Sequence, residues 1–349
     1  MSKIFTGNLF LFHAFDVGDD IDLESIEQSQ ALTKISAKLP KYFKDYHIPL
    51  SVELPHPHDT STWLSCKLHN FGAITITYKV PFTESIDELK KNIEEIEKKY
   101  QEQSISDLGT IYKKVQPYIK QSKFFHLRTS YPVIQIDPEE NTTTQKLKEE
   151  YGPQIASLLR FEKQSLSEHQ KDEILNSAIG YFKGDLIVID TEAALVCDPE
   201  YEDILDLFEF ANMQQLELRY FDKVLNQQLN QIYERKIGPL SFKSYLPFIG
   251  THSDGMLDLG RLRVDISVIV ERLQSSIKLV DETYYSEIYE LLEEKLDIYK
   301  LKESVDGKLE IVKDVRSVYN HQIDVTREDM LTVLIIILIF IELIIGILK

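Results

Sequence analysis

The sequence predicts an α+β fold: a mixed-sheet N-terminal domain, then a helical hairpin or bundle, then one C-terminal transmembrane helix. Three observations carry this. Short β-rich runs alternate with helical runs up to about residue 199. Long apolar-periodic helices follow to about residue 328. The chain then closes on LTVLIIILIFIELIIGIL (Leu331–Leu348), in which fifteen of eighteen residues are Leu, Ile, Val or Phe. The expected domains are therefore 1–199, 200–328 and 329–349.

In the first domain Ile4–Val17 reads as a strand centred on LFLFHAF. Leu23–Leu39 has helical spacing and stops before Pro40. Leu50–Leu54, Trp63–Leu68 and Ala73–Val80 are short strands. In the last, AITITYKV, apolar and polar residues alternate, which suits a sheet with one wet face. Ser85–Lys120 is charged and helical, and Ser85 with Glu88 fits a capping box. Phe124–Ile136 returns to strand. Helices are expected near Thr143–Arg160 and Ser167–Ile179, the second capped by Ser167. Asp185–Cys197, DLIVIDTEAALVC, reads as one buried strand.

From Glu200 the pattern changes. A helix to about Lys236 gathers Ile204, Leu207, Ala211, Leu218, Phe221, Leu225, Leu229 and Ile232 on one face. Ile237–Gly255, rich in Gly and Pro, breaks it. Leu259, Leu262, Ile266, Ile269, Leu273, Ile277, Val280 and Tyr284 then step by threes and fours, as a coiled-coil seam does. Tyr285–Tyr299 continues helical, a break is expected at Asp306–Gly307, and Leu309, Val312, Val315 and Tyr319 form a last amphipathic face.

The closing apolar stretch rises about 27 Å as a helix, close to a bilayer core of roughly 30 Å. The insertion gain of about 0.3–0.6 kcal/mol for each such residue exceeds the cost of one acid, at most roughly 3 kcal/mol. The N-terminal segment lacks the pattern of a signal peptide. Tail-anchored topology is the expectation, with the N-terminal bulk on the cytoplasmic side. Glu342, inside the span, would be satisfied by pairing with its copy across a helix dimer, or is simply tolerated there.

Formal net charge is −18. Such a field repels phosphate backbones, so direct nucleic-acid binding is not expected. Cys66 and Cys197 read as reduced core residues. His56, His58 and His69 lie near Asp59 and Cys66, but HPHD in a Pro-rich turn reads as a solvated loop, so no metal is assigned. Nucleotide, zinc-protease and serine-hydrolase signatures are absent, so no cofactor and no catalytic residue are assigned.

Glu209, Asn212 and Arg219 are candidate interaction residues close to the apolar stripe of the first long helix, and Glu342 is a fourth. Intrahelical pairing, Gln215 with Arg219 and Arg219 with Asp222, is the plainer reading of that surface. Asp190 and Glu192 would share a strand face with Asp185 near them, but no acid–base partner is in view.

Leu158–Leu225, with DLIVIDTEAALV followed by LFEFANMQQLELRYFD, resembles a group of bacterial proteins of unassigned function. KLEIVKDVRSVYNHQ (Lys308–Gln322) and the anchor are similar to the same group. The layout also resembles, more distantly, the family named for being required for meiotic nuclear division. Its pattern has a strand after an FG pair (here Phe71–Val80), an FE motif on a helix (here Phe208–Glu209) and an apolar C-terminal helix with one Glu. Before the anchor, where that family often has Leu-Glu-Trp, this chain has Arg327-Glu328-Asp329-Met330. The resemblance implies a membrane-anchored, oligomeric, non-enzymatic protein, with mitochondrial members linked to organellar translation.

The leading expectation is a non-enzymatic, membrane-anchored scaffold or interaction protein that self-associates, binds an unidentified protein partner and supports translation or membrane-linked assembly. The alternative is an enzyme or ligand-binding module with a pocket between the α+β head and the helical bundle, using Asp190, Glu192 and Arg219.

Overall fold

The computed structural model describes residues 3–35, 49–53, 62–138, 144–234, 254–275 and 283–347. Along the chain lie β1 (Phe5–Asp16), β2 (Asp20–Ile21), α1 (Leu23–Ser29), β3 (Leu50–Val52), β4 (Trp63–Leu68), β5 (Ala73–Glu84), α2 (Ile86–Val115), β6 (Ile119–Lys120) and β7 (Leu127–Ile136). Then follow α3 (Thr144–Leu159), α4 (Glu168–Asn176), β8 (Leu186–Ile189), β9 (Ala194–Cys197), α5 (Tyr201–Glu234), α6 (Asp254–Ser275), α7 (Thr283–Lys295) and α8 (Ile298–Ile347). The fold is α+β, as the sequence predicts.

Seven strands form a mixed sheet in the order β3-β4-β5-β1-β7-β9-β8. β1 sits at its centre because its even and odd positions are both apolar, so both faces can be buried. It pairs antiparallel with β5 and β7. The β7–β9 pair is parallel. Gly72, at φ +101°, makes the turn into β5, where a Cβ would lie 1.7 Å from the Gly18 carbonyl oxygen. Only glycine accepts that backbone and that approach.

Leu9, Leu11, Phe15, Ile74, Ile76, Ile134 and Ile136 face one side of the sheet, where they join Leu89, Ile93, Leu108 and Ile111 of α2 and Ile155, Leu158 and Leu159 of α3 in the main core. α2 starts where expected: Ser85 and Glu88 complete the capping box. Ser167 likewise caps α4.

On the opposite face lie Phe10, Phe12, Thr75, Thr129 and Tyr131. The first half of α5 covers them. Tyr131 stacks on Phe208 at 5.9 Å, and the Thr129 hydroxyl donates to the Asn212 carbonyl at 3.1 Å. α7 runs beside α5, with Tyr289 donating to the Gln214 side chain. The polar face expected to be wet is therefore covered: Thr75 and Thr77 are both only 2% exposed.

Three further expectations are corrected. The run Asp185–Cys197 is a hairpin, β8 pairing antiparallel with β9. Its turn closes through Asp190 N–H donating to the Ala193 carbonyl at 3.0 Å. No break occurs at Asp306–Gly307: α8 is continuous over 50 residues, about 75 Å. A glycine there costs about 1 kcal/mol of propensity, which so long a helix absorbs. α1 ends at Ser29, with Gln30 in the left-handed region, and residues 36–39 of the longer expected helix lie outside the described residues. Of the expected coiled-coil seam, Leu259, Ile266 and Leu273 are buried, Leu262 and Ile269 half-buried, and Ile277 and Val280 outside the described residues.

The chain divides into two compact units. One comprises Met1–Tyr220 with Arg272–Leu301, the other Phe221–Glu271 with Lys302–Lys349. The division falls inside α5, whose first half packs on the sheet. In the second unit Asp222 accepts hydrogen bonds from Ser304 and Lys308, tying α5 to α8. Arg327–Ile347 is one helix long and apolar enough to cross a membrane, with mean hydropathy 3.1 and none of it buried.

Candidate functional site

A cleft of about 330 Å³ lies between the β3-β4-β5 end of the sheet and the first turns of α5. Strand alternation supplies one wall. On β4, Ser65 and Lys67 point to the α5 side while Leu68 joins the main core; on β5, Thr75 and Thr77 do the same while Ile74 and Ile76 turn away. The helix supplies the other wall. Glu202, Asp203, Asp206 and Glu209, at steps of three and four, lie along it. Phe10, Phe12, Val52, Tyr201 and Leu205 add apolar surface.

Glu209 is the anchor of this arrangement. Its carboxylate takes the Lys67 ammonium at 2.5 Å and the Thr75 hydroxyl at 2.8 Å. Burial pushes its pKa up, but Lys67 and these two hydrogen bonds outweigh burial and hold the group below the usual range. His69 Nε2 lies 3.3 Å from the Thr75 oxygen. Since Thr75 gives its proton to Glu209, His69 must donate through Nε2, leaving Nδ1 unprotonated. Burial then holds His69 neutral, its pKa lowered to about 3. Beneath it, burial and the nearby Glu209 push the Cys66 thiol far up. Asp206 differs from Glu209: Lys67 is 3.6 Å away, and burial raises its pKa to about 6.

A second buried pair lies farther along α5. Asp16, at the end of β1, and Glu217 are each 1% exposed. Burial raises Asp16 to about 7 against the pull of the Gly18 backbone and Lys123. Burial, then the charges of Asp16 and Asp19, push Glu217 well above the ordinary range.

Among the residues singled out from sequence, Glu209 is in the cleft. Asn212 is buried one turn on, its amide donating to the Phe12 carbonyl at 3.5 Å, and does not line the cleft. Arg219 is exposed, and so is Glu342 on α8. The expected intrahelical pairs are replaced: Gln215 donates to the Leu296 carbonyl at 2.7 Å, and Asp222 pairs with Lys308. Asp190 is paired with Arg160, and Glu192 is exposed in the β8–β9 turn, so Asp190, Glu192 and Arg219 do not meet in the cleft. Asp185 instead accepts from the Phe182 backbone N–H at 2.7 Å. His56, His58 and Asp59 lie outside the described residues, and among the described residues no group of three His, Cys, Asp or Glu side chains could hold a metal ion. Sequence reasoning missed Lys67, Thr75 and Asp206. The signal for the first two is the alternation on β4 and β5, which puts Lys67 and Thr75 on one face; Asp206 is signalled only by its place one turn before Glu209 on α5.

Residues 6–203 match the family described as "Uncharacterized protein MJ0711, N-terminal domain", more than half of the chain. The chain belongs to that family. It is also 24% identical over 200 residues to the "Uncharacterized protein MJ0711" of Methanocaldococcus jannaschii, a match covering 56% of this chain and 59% of the relative. The chain thus spans about 59% of the length of the curated relative it matches. No solved structure matches the chain. These relationships show no link to the meiotic nuclear division family and give a bacterial origin no support. The family span takes in the seven-stranded sheet from the second residue of β1, with Lys67 and Thr75, and ends at Asp203 in the first turn of α5. Asp206 and Glu209 lie just beyond it.

Proposed function

We propose that this protein is a non-enzymatic, membrane-anchored binding protein, whose N-terminal bulk lies on the cytoplasmic side and takes a ligand in the cleft beneath α5. The observation that carries the reading is the state of the groups in that cleft. A reactive site poises its nucleophile or base near the working pH. Here Lys67 is committed to Glu209, His69 is held neutral and the Cys66 thiol is held protonated. Asp206, raised to about 6, does titrate near the working pH, but the nucleophile and base candidates beside it are engaged or held inert, and we read the cleft as built to recognise a ligand. The volume is at the low end of small-molecule pockets, roughly 300–1,000 Å³.

A small-molecule screen on the full chain in detergent micelles tests this, read by thermal shift. Binders should raise the melting temperature of the wild type and not of Ser65→Trp, which fills the cleft. Shifts that survive in Ser65→Trp would place binding elsewhere and refute the reading.

Self-association is a second element of the proposal. Every residue from Leu331 to Ile347 is exposed. Such a face needs lipid or another copy of the helix to cover it. Retention of the full chain in carbonate-washed membranes, with release of a chain ending at residue 328, tests the anchor.

A further inference from the structure

The cleft is unbalanced in charge. Glu202, Asp203, Asp206 and Glu209 line it against Lys67 and Lys79. Lys67 sits at hydrogen-bonding distance from Glu209 and 3.6 Å from Asp206. Lys79 lies over the Phe10 ring, 5.8 Å from its centroid. Among the described residues the Asp206 carboxylate therefore has only the long contact to Lys67 to compensate it, and its side chain is 28% exposed. A second observation is independent of charge. The Thr77 hydroxyl lines the same cleft, on a residue 2% exposed, and has no hydrogen-bond partner among the described residues. A buried hydroxyl left unsatisfied costs about 1–3 kcal/mol, so a ligand group that meets it is favoured.

We propose that the cleft binds a small organic monocation, a primary amine or guanidine on an apolar body, with its charge on Asp206, its body against Phe12, Tyr201 and Leu205, and a polar atom at the Thr77 hydroxyl. This rests on the reading of the cleft as a ligand site. An anionic ligand would add to the four carboxylates while its natural partner, Lys67, is already engaged. A cation replaces the missing half of the Asp206 ion pair in a site where partial burial strengthens the attraction. An aromatic wall beside the carboxylate favours the same ligand class.

The proposal carries a pH signature. The charged groups sharing the cleft with Asp206 are Lys67 from β4, Lys79 from β5, and Glu202, Asp203 and Glu209 from its own helix. Glu209 stays ionised because Lys67 and Thr75 hold it, so the group that titrates first on acidification is Asp206. Affinity for the cation should fall as pH drops through about 6.

Calorimetry on the full chain in detergent micelles tests this with 2-phenylethylamine and phenylguanidine, their neutral counterparts 2-phenylethanol and phenylurea, and the anion phenylacetate. At pH 7.5 the two cations should bind at least about tenfold more tightly than their neutral counterparts, a difference of about 1.4 kcal/mol. Asp206→Asn should remove that preference while leaving the neutral ligands unchanged, and the preference should shrink between pH 7 and 5. Equal binding of cation and neutral counterpart, abolished by Ser65→Trp, would overturn the cation assignment and leave the ligand-site reading standing. If no probe binds, or binding persists in Ser65→Trp, both fall.

Discussion

Asp206→Asn should make the unliganded protein more stable. The carboxylate is raised from 3.8 to about 6, chiefly by burial, with Lys67 pulling the other way and Glu209 adding to it. A group with a higher pKa in the folded state binds more protons there than in the unfolded chain. Stability is therefore full below about pH 4 and is lost as pH rises through about 6. At about 1.4 kcal/mol for each pKa unit, the shift amounts to at most roughly 3 kcal/mol above pH 7. The side chain is 28% exposed, so water screens part of it and about 1–2 kcal/mol is the reasonable expectation. The asparagine keeps the shape and removes the charge. It should recover that amount at pH 7.5 and nothing at pH 4.

Thermal melts of the full chain in micelles at the two pH values are the assay. For a unit of 150–250 residues each kcal/mol is worth about 2–4 °C, so a rise of several degrees at pH 7.5 is expected. A fall in melting temperature at pH 7.5 would refute the reasoning, because it would mean that Lys67 at 3.6 Å more than repays the burial of Asp206. The prediction joins stability to recognition: the same substitution that steadies the empty protein should cost it the cationic ligand. Sites kept at the expense of stability show this trade.

Three other outcomes follow from the same geometry. Lys67→Met strands Glu209, 8% exposed, without its counter-charge and should cost about 3–5 kcal/mol by denaturant melt; adding Glu209→Gln should restore most of it, and no rescue would sink the pair's assignment. Glu217→Gln should leave stability at pH 4 unchanged and raise it at pH 8, since burial raises the folded pKa of Glu217 and a raised carboxylate opposes stability as pH climbs; a flat comparison between the two pH values would contradict this. Glu342→Leu should weaken cross-linking of the full chain in membranes, and an unchanged oligomer ladder would remove Glu342 from the assembly.

What was legible in the sequence had a local cause. Ser85 and Glu88 announce a helix start because both partners of the cap lie within one turn. The closing apolar helix is legible because length and composition alone set it. The β8–β9 hairpin was hidden because its turn, Asp190-Thr191-Glu192-Ala193, carries no Gly or Pro and sits between two apolar runs. Read as one strand, it put Asp190 and Glu192 on a shared face; the turn instead exposes Glu192 and commits Asp190 to Arg160.

The site was half legible for a deeper reason. Periodicity shows that α5 has an apolar face, but not what that face meets. Ile204, Leu207 and Ala211 could equally have packed on another helix. Once the sheet is the partner, the polar positions of β5 cease to be a wet face and become buried groups that need partners. Glu209 lies on the helix and Lys67 and Thr75 on strands more than 130 residues earlier in the chain, so no local rule connects them. The family match stops at Asp203 while the cleft does not. One wall is the sheet within the matched span. The other begins on the helix at Glu202 and Asp203, inside that span, and continues beyond it to Asp206 and Glu209, so the sheet and the helix must both be in place before the cleft exists.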